Sequence, residues 1–130
     1  MSATSLTGCI LYSLAPQRLG QFYAELLGWP ISDQQPDYLQ LAHQGYELTL
    51  VQVPAAIAAR IVLQDPPLPR SDSPCKPLFQ VADLEQARQR AASAGGRLYG
   101  AEREWSFKGA RVCDGVDPEG NVFQLRQPLA

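Results

Sequence analysis

Residues that commonly bind transition metals or form disulfides are scarce in this chain. Its 130 residues contain one histidine, His43, and three cysteines. Cys9, Cys75 and Cys113 are odd in number and far apart, so they predict neither a disulfide framework nor a CxxC metal or redox site. We expect three free thiols.

The sequence also lacks an excess of basic residues and any long apolar run. The net charge is -2 and the isoelectric point about 5.3, which disfavours nucleic acid as a partner because phosphate binding needs a basic surface. Eighteen apolar residues never stand together, and the first residues, MSATSLTGCILYSL, lack the positive region that begins a signal peptide. We therefore expect no membrane partner and a cytoplasmic location.

What the sequence does contain is enough apolar material for one buried core. Hydrophobic residues make up 45% of the chain and charged residues 18%, as expected of a single globular domain over residues 1–130.

A strand followed by an amphipathic helix is predicted near the start. Residues 8–14 alternate as a strand, and a helix is expected from Pro16, which suits the first helical position, to a stop at Gly28. Two further strands are predicted from Tyr38 and Tyr46, joined by a tight turn around Gly45. The apolar residues of the helix recur at helical spacing: they are Leu19, Phe22, Tyr23, Leu26 and Leu27.

The same order returns after a proline-rich connector, residues 55–73, in which one short helical turn is expected near its start. Residues 76–81 predict a strand. A helix is predicted from Asp83 to Ala94, because Asp83 and Gln86 resemble a capping box. Two last strands are expected on either side of the turn 117–121.

Shifting the first half by 68 positions places Gly8 on Lys76 and Gly28 on Gly96. The repeat predicts one βαβββ unit used twice, with module one at 6–54 and module two at 74–128. One amphipathic helix covers only one face of its sheet. The predicted fold is therefore α+β, with a curved mixed sheet, helices outside, and a concave face free to bind a ligand.

Strand alternation predicts which side chains line this concave face. The predicted residues are Tyr12, Glu47, Thr49, Lys76, Gln80 and Gln124. Trp105 and Phe107 lie in a polar stretch that reads as a loop, so they either close over a ligand or cover the sheet edge. Tyr12 has a structural alternative too, since neighbours or water can satisfy its hydroxyl.

Two stretches, FYAELLGW at residues 22–29 and DPEGNVFQL at 117–125, are the most distinctive in the chain. They resemble the vicinal oxygen chelate superfamily, which includes glyoxalase I, extradiol dioxygenases, fosfomycin-resistance enzymes and bleomycin-resistance proteins. The resemblance runs from Gly8 to Gln127. It implies that Arg111 stands at a position where such proteins often carry arginine, although neighbours or water can also satisfy this side chain. It further implies a homodimer.

The resemblance also identifies four positions where the enzymes of this superfamily place metal ligands. In this sequence those positions are Gly8, Glu47, Lys76 and Gln124. Glycine offers no ligand and an ammonium group brings a positive charge, so no metal and no cofactor are expected. Glu47 and Lys76 are expected to form an ion pair in the vacated site, or to hydrogen-bond a polar ligand.

The leading hypothesis is a metal-free protein that binds a small organic ligand in the concave face, similar to the bleomycin-resistance type. The alternative is a glyoxalase-like lyase or dioxygenase-related enzyme, which is metal-dependent or uses Glu47 as a base. A third interpretation, an interaction module, applies if side chains fill the concavity.

Overall fold

The computed structural model describes residues 7–129, which form an α+β fold as predicted. Its elements follow in chain order: β1 Gly8–Ser13, α1 Pro16–Leu27, β2 Ile31–Gln35, β3 Tyr38–His43, β4 Tyr46–Gln52, α2 Ala55–Ala58, β5 Leu78–Gln80, α3 Leu84–Ser93, β6 Arg97–Leu98, β7 Trp105–Phe107, β8 Ala110–Val116 and β9 Val122–Pro128. A single 3-10 turn, Ala101–Arg103, precedes β7. The longest described helix, α1, has 12 residues, too few to cross a bilayer.

The strands form two sheets. The first has the order β1-β4-β3-β2, and the second β5-β9-β8-β6 with β7 also paired to β8. In each sheet the first strand is parallel to the last strand of its own half, and the other pairs are antiparallel. Within residues 7–129 no strand pairing joins the two sheets, so the two modules predicted to form the curved mixed sheet each contribute a separate sheet.

Local chemistry sets the helix ends where the sequence predicted them. Pro16 begins α1, and Gly28 ends it in the left-handed conformation with φ 71°. At α3 the Asp83 side chain accepts a hydrogen bond from the backbone N–H of Gln86, 3.1 Å away. The two predicted helices are therefore confirmed, because short-range capping and turn signals define them.

Three strands, β2, β6 and β7, were not located from the sequence. β2 contains a single apolar residue, Ile31, and lies at an exposed sheet edge, so it lacks the alternation that signals a strand. β7 was expected to be a loop, but it pairs with β8 through a tight turn in which Lys108 and Gly109 both have positive φ. Such a turn matches the twist of a hairpin.

Helix α1 belongs to the core of both sheets. It packs on β3 and β4, while Phe22 contacts Phe123 on β9 and Tyr23 contacts Phe79 on β5. We call the side of each sheet that faces this core the core face, and the opposite side the open face. One continuous core thus unites residues from both halves of the chain.

The turn 117–121 also links the two halves. Asp117 is fully buried and accepts a hydrogen bond from the Tyr23 hydroxyl at 2.7 Å. Glu119 accepts from the Ser13 hydroxyl and from the backbone N–H of Leu14 at 2.9 Å. Its carboxylate therefore lies beside the N-terminus of α1, where unpaired N–H groups favour negative charge.

Candidate functional site

The strand register places a group of polar and aromatic side chains on the open face of the second sheet. Gln124 lies opposite Asp114 on β8 and opposite Leu78 on β5. The residues that alternate with them, such as Leu125, are fully buried on the core face. The side chains that the register places on the open face include Leu78, Gln80, Trp105, Phe107, Asp114, Gln124 and Arg126, together with Val112 and Val116, which are fully buried.

Three side chains of this face, Asp114, Gln124 and Arg126, are joined by hydrogen bonds to one another and to Lys76, which precedes β5. We call these four residues the polar chain. The Lys76 ammonium lies 2.7 Å from Asp114 Oδ2. Gln124 Nε2 donates to Asp114 Oδ1 at 3.2 Å, and Arg126 Nε donates to Gln124 Oε1 at 3.0 Å. These partners fix the orientation of the Gln124 amide. The polar chain carries two cations and one carboxylate, so its formal charge is positive.

Two aromatic side chains stand next to the polar chain. Trp105 is 40% exposed and Phe107 is 43% exposed. The Arg126 guanidinium carbon lies 5.1 Å from the centre of the Phe107 ring, within the range of a cation-π contact. The open face therefore offers flat apolar surface beside fixed hydrogen-bonding groups, which is the chemistry of an organic ligand site.

The open face of the first sheet carries the other predicted residues. Gln40 Nε2 donates to Glu47 Oε2 and to Thr49 Oγ1, each at 3.1 Å. Tyr12 and Ile10 on β1 are both more than 60% exposed. Glu47, Thr49 and Tyr12 thus lie on an open face, as alternation predicted, but on a different sheet from Lys76, Gln80 and Gln124.

Arg111 does not join the open face. It lies opposite Gln127, on the same side of β8 as the buried Cys113, and its Nε lies 2.9 Å from Glu104 Oε1. Burial alone would raise the pKa of Glu104, but hydrogen bonds from Arg88 and Arg111 outweigh burial and lower it below its ordinary value. Arg111 is thus placed in an ion-pair group beside α3, away from Gln124.

The expected pair between Glu47 and Lys76 is not formed in the single chain, because Lys76 contacts Asp114 instead. Asp114 was missed by the sequence reasoning, although a signal existed. A hairpin folded about the turn 117–121 pairs Val116 with Val122, which places Asp114 directly opposite Gln124.

The four positions at which the superfamily implies metal ligands do not fit a divalent cation. A Cβ atom at Gly8 would collide with the backbone carbonyl oxygen of Glu47, so this backbone leaves no room for a ligating side chain. Lys76 contributes a positive charge, and the Gln124 carbonyl oxygen already accepts from Arg126. Among residues 7–129 no three His, Cys, Asp or Glu side chains come together as a metal site would require.

Within residues 7–129 both open faces keep large side chains exposed, among them Tyr12 on the first sheet and Leu78 and Phe107 on the second. Of four surface cavities within residues 7–129, one is lined by Tyr12 and another by Gln80, and none is lined by the other predicted site residues. A ligand on the polar chain would therefore remain largely exposed unless another surface covered it.

The fold matches that of solved structures along nearly the whole chain. One is the antibiotic binding protein TnmS3 from Streptomyces sp. CB03234, with a TM-score of 0.63, 22% identity and 98% of each chain covered. Another is a glyoxalase/bleomycin resistance protein/dioxygenase family enzyme from Burkholderia phytofirmans PsJN. Its TM-score is 0.68 and its identity 17%, and the match covers 96% of this chain and 99% of the other. A third is a glyoxalase-related enzyme from Fulvimarina pelagi, with a TM-score of 0.66 and 16% identity, in which the match covers 96% of this chain and 88% of the other. These likenesses show a glyoxalase/bleomycin-resistance-like fold.

The family follows from the sequence. The model of the glyoxalase-like domain matches residues 10–126, so the chain belongs to this family and to the vicinal oxygen chelate superfamily, as the two motifs indicated. No curated protein matches the sequence significantly.

Proposed function

We propose that this protein binds a small organic ligand on its open sheet faces and has no resident metal. The observation that carries the proposal is the polar chain beside Trp105 and Phe107. Stacking on the exposed rings would hold a planar ligand, and the polar chain would fix its orientation. The structural relative TnmS3 is an antibiotic binding protein, which supports antibiotics as the first ligands to test. Among them, planar compounds suit stacking on the exposed rings.

We further propose that a second copy of the chain covers the site. Apolar side chains are exposed on both open faces, including Ile10 on the first sheet and Leu78 on the second. Exposed apolar groups that stand together usually mark a binding or assembly surface. In a symmetric dimer, the open face of one copy lies against a face of the other, and the ligand is enclosed between them.

The charge of the polar chain favours a ligand with hydrogen-bond acceptors. Lys76 and Arg126 are donors only, and the Asp114 carboxylate is already shared by Lys76 and Gln124. A ligand bearing carbonyl, phenolate or carboxylate oxygens would find donors here. A divalent cation would meet two positive charges.

The test is a titration of the protein with metal-free bleomycin and with a panel of planar aromatic antibiotics, followed by thermal shift and tryptophan fluorescence. At least one compound should raise the melting temperature, and its affinity should fall about tenfold or more in Trp105→Ala and in Gln124→Ala. Val62→Ala is the matched control, because Val62 is an exposed apolar residue of the connector.

Two outcomes would contradict this function. One is a rise in melting temperature with stoichiometric Ni²⁺, Zn²⁺ or Fe²⁺ while no compound binds, since that would indicate a metal centre. The other is turnover of the methylglyoxal-glutathione hemithioacetal that is lost in Glu47→Gln, because that would identify an enzyme with Glu47 as its base.

A further inference from the structure

A second candidate site lies where the connector meets the end of the first sheet, apart from the polar chain. It is a cavity of about 340 Å³, within the range of small-ligand sites. We call it the connector pocket. Its walls are Tyr12, Leu14, Val53, Pro54, Ile57, Ile61, Arg70 and Glu119.

The polar side of the connector pocket is held in place by contacts between the two halves of the chain. The backbone N–H of Arg70 donates to the carbonyl oxygen of Gly120 at 2.8 Å. A Cβ atom at position 120 would collide with the carbonyl oxygen of Leu68, so glycine permits this close approach. The connector is thereby fixed against the turn 117–121, and Arg70 is fixed beside the cavity.

The two charged residues of the connector pocket differ in whether their side chains already have hydrogen-bond partners. Glu119 is nearly inaccessible and already accepts hydrogen bonds from Ser13 and from the backbone N–H groups of Leu14 and Ala15. The Arg70 side chain makes no hydrogen bond or ion pair with any residue between 7 and 129, although it is partly buried. The available charge in this apolar pocket is therefore a cation with five N–H donors.

We propose that the connector pocket binds a small amphipathic carboxylate, with its apolar body against Leu14, Ile57 and Ile61 and its carboxylate on the Arg70 guanidinium. A guanidinium and a carboxylate match in shape and form two parallel hydrogen bonds. A cationic ligand is disfavoured, because the only carboxylate in the wall is already satisfied. This site does not depend on the polar chain or on a second copy of the chain.

The test uses 4-phenylbutyrate as the probe and the full chain labelled at its isoleucine methyl groups. The chain has four isoleucines, and two of them, Ile57 and Ile61, line the connector pocket. Ile10 lies on the open face of β1, outside the walls of the connector pocket, and reports separately on that face. Saturable shifts of the Ile57 and Ile61 methyl signals are expected, with Ile10 changed less.

Variants and matched compounds decide the role of Arg70. Arg70→Gln should weaken binding about tenfold or more, because a charge-assisted pair is lost. Arg60 is an exposed arginine of the same connector, so Arg60→Gln should leave the affinity for 4-phenylbutyrate within about twofold of the unmodified protein. Ile57→Asp places a negative charge in the pocket at a half-exposed position and should abolish binding. 4-Phenylbutylamine and 4-phenyl-1-butanol should bind at least about tenfold more weakly than the acid.

The proposal is overturned if the acid, the amine and the alcohol bind equally, or if Arg70→Gln binds like the unmodified protein. It is also overturned if only Ile10 responds, or if millimolar acid produces no saturable shift. None of these results bears on antibiotic binding at Trp105 and Gln124.

Discussion

The core face and the open face of the second sheet use similar side chains in opposite ways. Phe123 and Leu125 on the core face are inaccessible to solvent, whereas Leu78 and Phe107 on the open face are each 43% exposed. The core face is packed against α1, whereas the open face keeps these apolar side chains partly exposed. Apolar surface that does not stabilise the monomer remains available for a ligand or a partner. The comparison therefore distinguishes residues that stabilise the fold from residues that are free to bind.

The largest expected effect comes from removing a phenyl ring on the core face. Phe123→Ala should lower the free energy of unfolding by about 3–5 kcal/mol, because it leaves a cavity beside Phe22 and Tyr23. Phe107→Ala, the matched change on the open face, should cost about 1 kcal/mol or less. Urea unfolding of dilute protein measures both, and equal losses would show that the open face is part of the folded core.

The hydrogen bond between Tyr23 and Asp117 gives the second effect. Tyr23→Phe leaves an oxygen of the buried Asp117 without its hydroxyl donor and should cost about 1–3 kcal/mol. Tyr38→Phe is the control, since the Tyr38 hydroxyl also donates to an aspartate, Asp33, but in a more exposed position than Asp117. Its stability should be nearly unchanged. A comparable loss in both variants would remove the distinction between the buried and the more exposed pair.

The same tyrosine predicts a dependence on alkaline pH. Burial, together with the neighbouring Asp117 carboxylate, raises the pKa of Tyr23 well above its ordinary value. The folded state therefore holds this proton more tightly than the unfolded chain, in which tyrosine titrates near about pH 10. The contribution is complete below that pH and is lost as the pH rises through the folded value. Tyr23→Phe should show a shallower loss of stability above pH 10, and an unchanged slope would contradict this assignment.

How much of the structure could be predicted from the sequence depends on whether a feature is set by neighbouring residues or by distant ones. Pro16, Gly28 and Asp83 act on their own helix, so the sequence alone indicated where the helices begin and end. Strand alternation likewise placed Gln124 on the open face. The ion pairs were not predictable in this way, because the contact of Lys76 with Asp114 depends on how three separate strands align.

Arg111 is a case in which strand alternation would have corrected the expectation from the superfamily resemblance. It was expected at the site through the superfamily resemblance, yet it shares its side of β8 with Cys113, which is fully buried. Alternation within β8 would have separated Arg111 from Asp114. What covers the open faces could not be predicted at all, since a surface between two copies leaves no periodic signal in one sequence.

The fourth prediction tests the open face of the first sheet as an assembly surface. Ile10 is 63% exposed, so Ile10→Asp should leave the stability of the single chain nearly unchanged. In the proposed dimer the same aspartate would be buried without a partner, and self-association should weaken at least about tenfold. Sedimentation velocity over a range of concentrations measures this.

Val62→Asp is the matched control for that experiment, because Val62 is an exposed aliphatic residue outside both sheets. It should associate like the unmodified protein. If both variants remain dimeric, the copies do not meet through this face. If the unmodified chain is monomeric at every concentration, the covering surface must be something other than a second copy.

The smallest expected effect on stability concerns the ion pairs on opposite sides of the second sheet. Lys76→Gln removes the pair with Asp114 on the open face, where the lysine side chain is 42% exposed, and should cost about 1 kcal/mol or less. Arg88→Gln is the matched change beside α3, where the arginine side chain is 17% exposed and also donates to the Tyr99 carbonyl oxygen. Arg88→Gln should lower the free energy of unfolding more than Lys76→Gln does, because it leaves Glu104 with one fewer partner in a partly buried position.

These two variants also separate structure from binding. Lys76→Gln should weaken ligand binding at the polar chain while the melting temperature hardly changes, whereas Arg88→Gln should lower the melting temperature and leave the affinity of the folded protein unchanged. If Lys76→Gln destabilises the protein as much as Arg88→Gln does, the polar chain stabilises the fold. Its presence beside Trp105 would then no longer argue for a ligand.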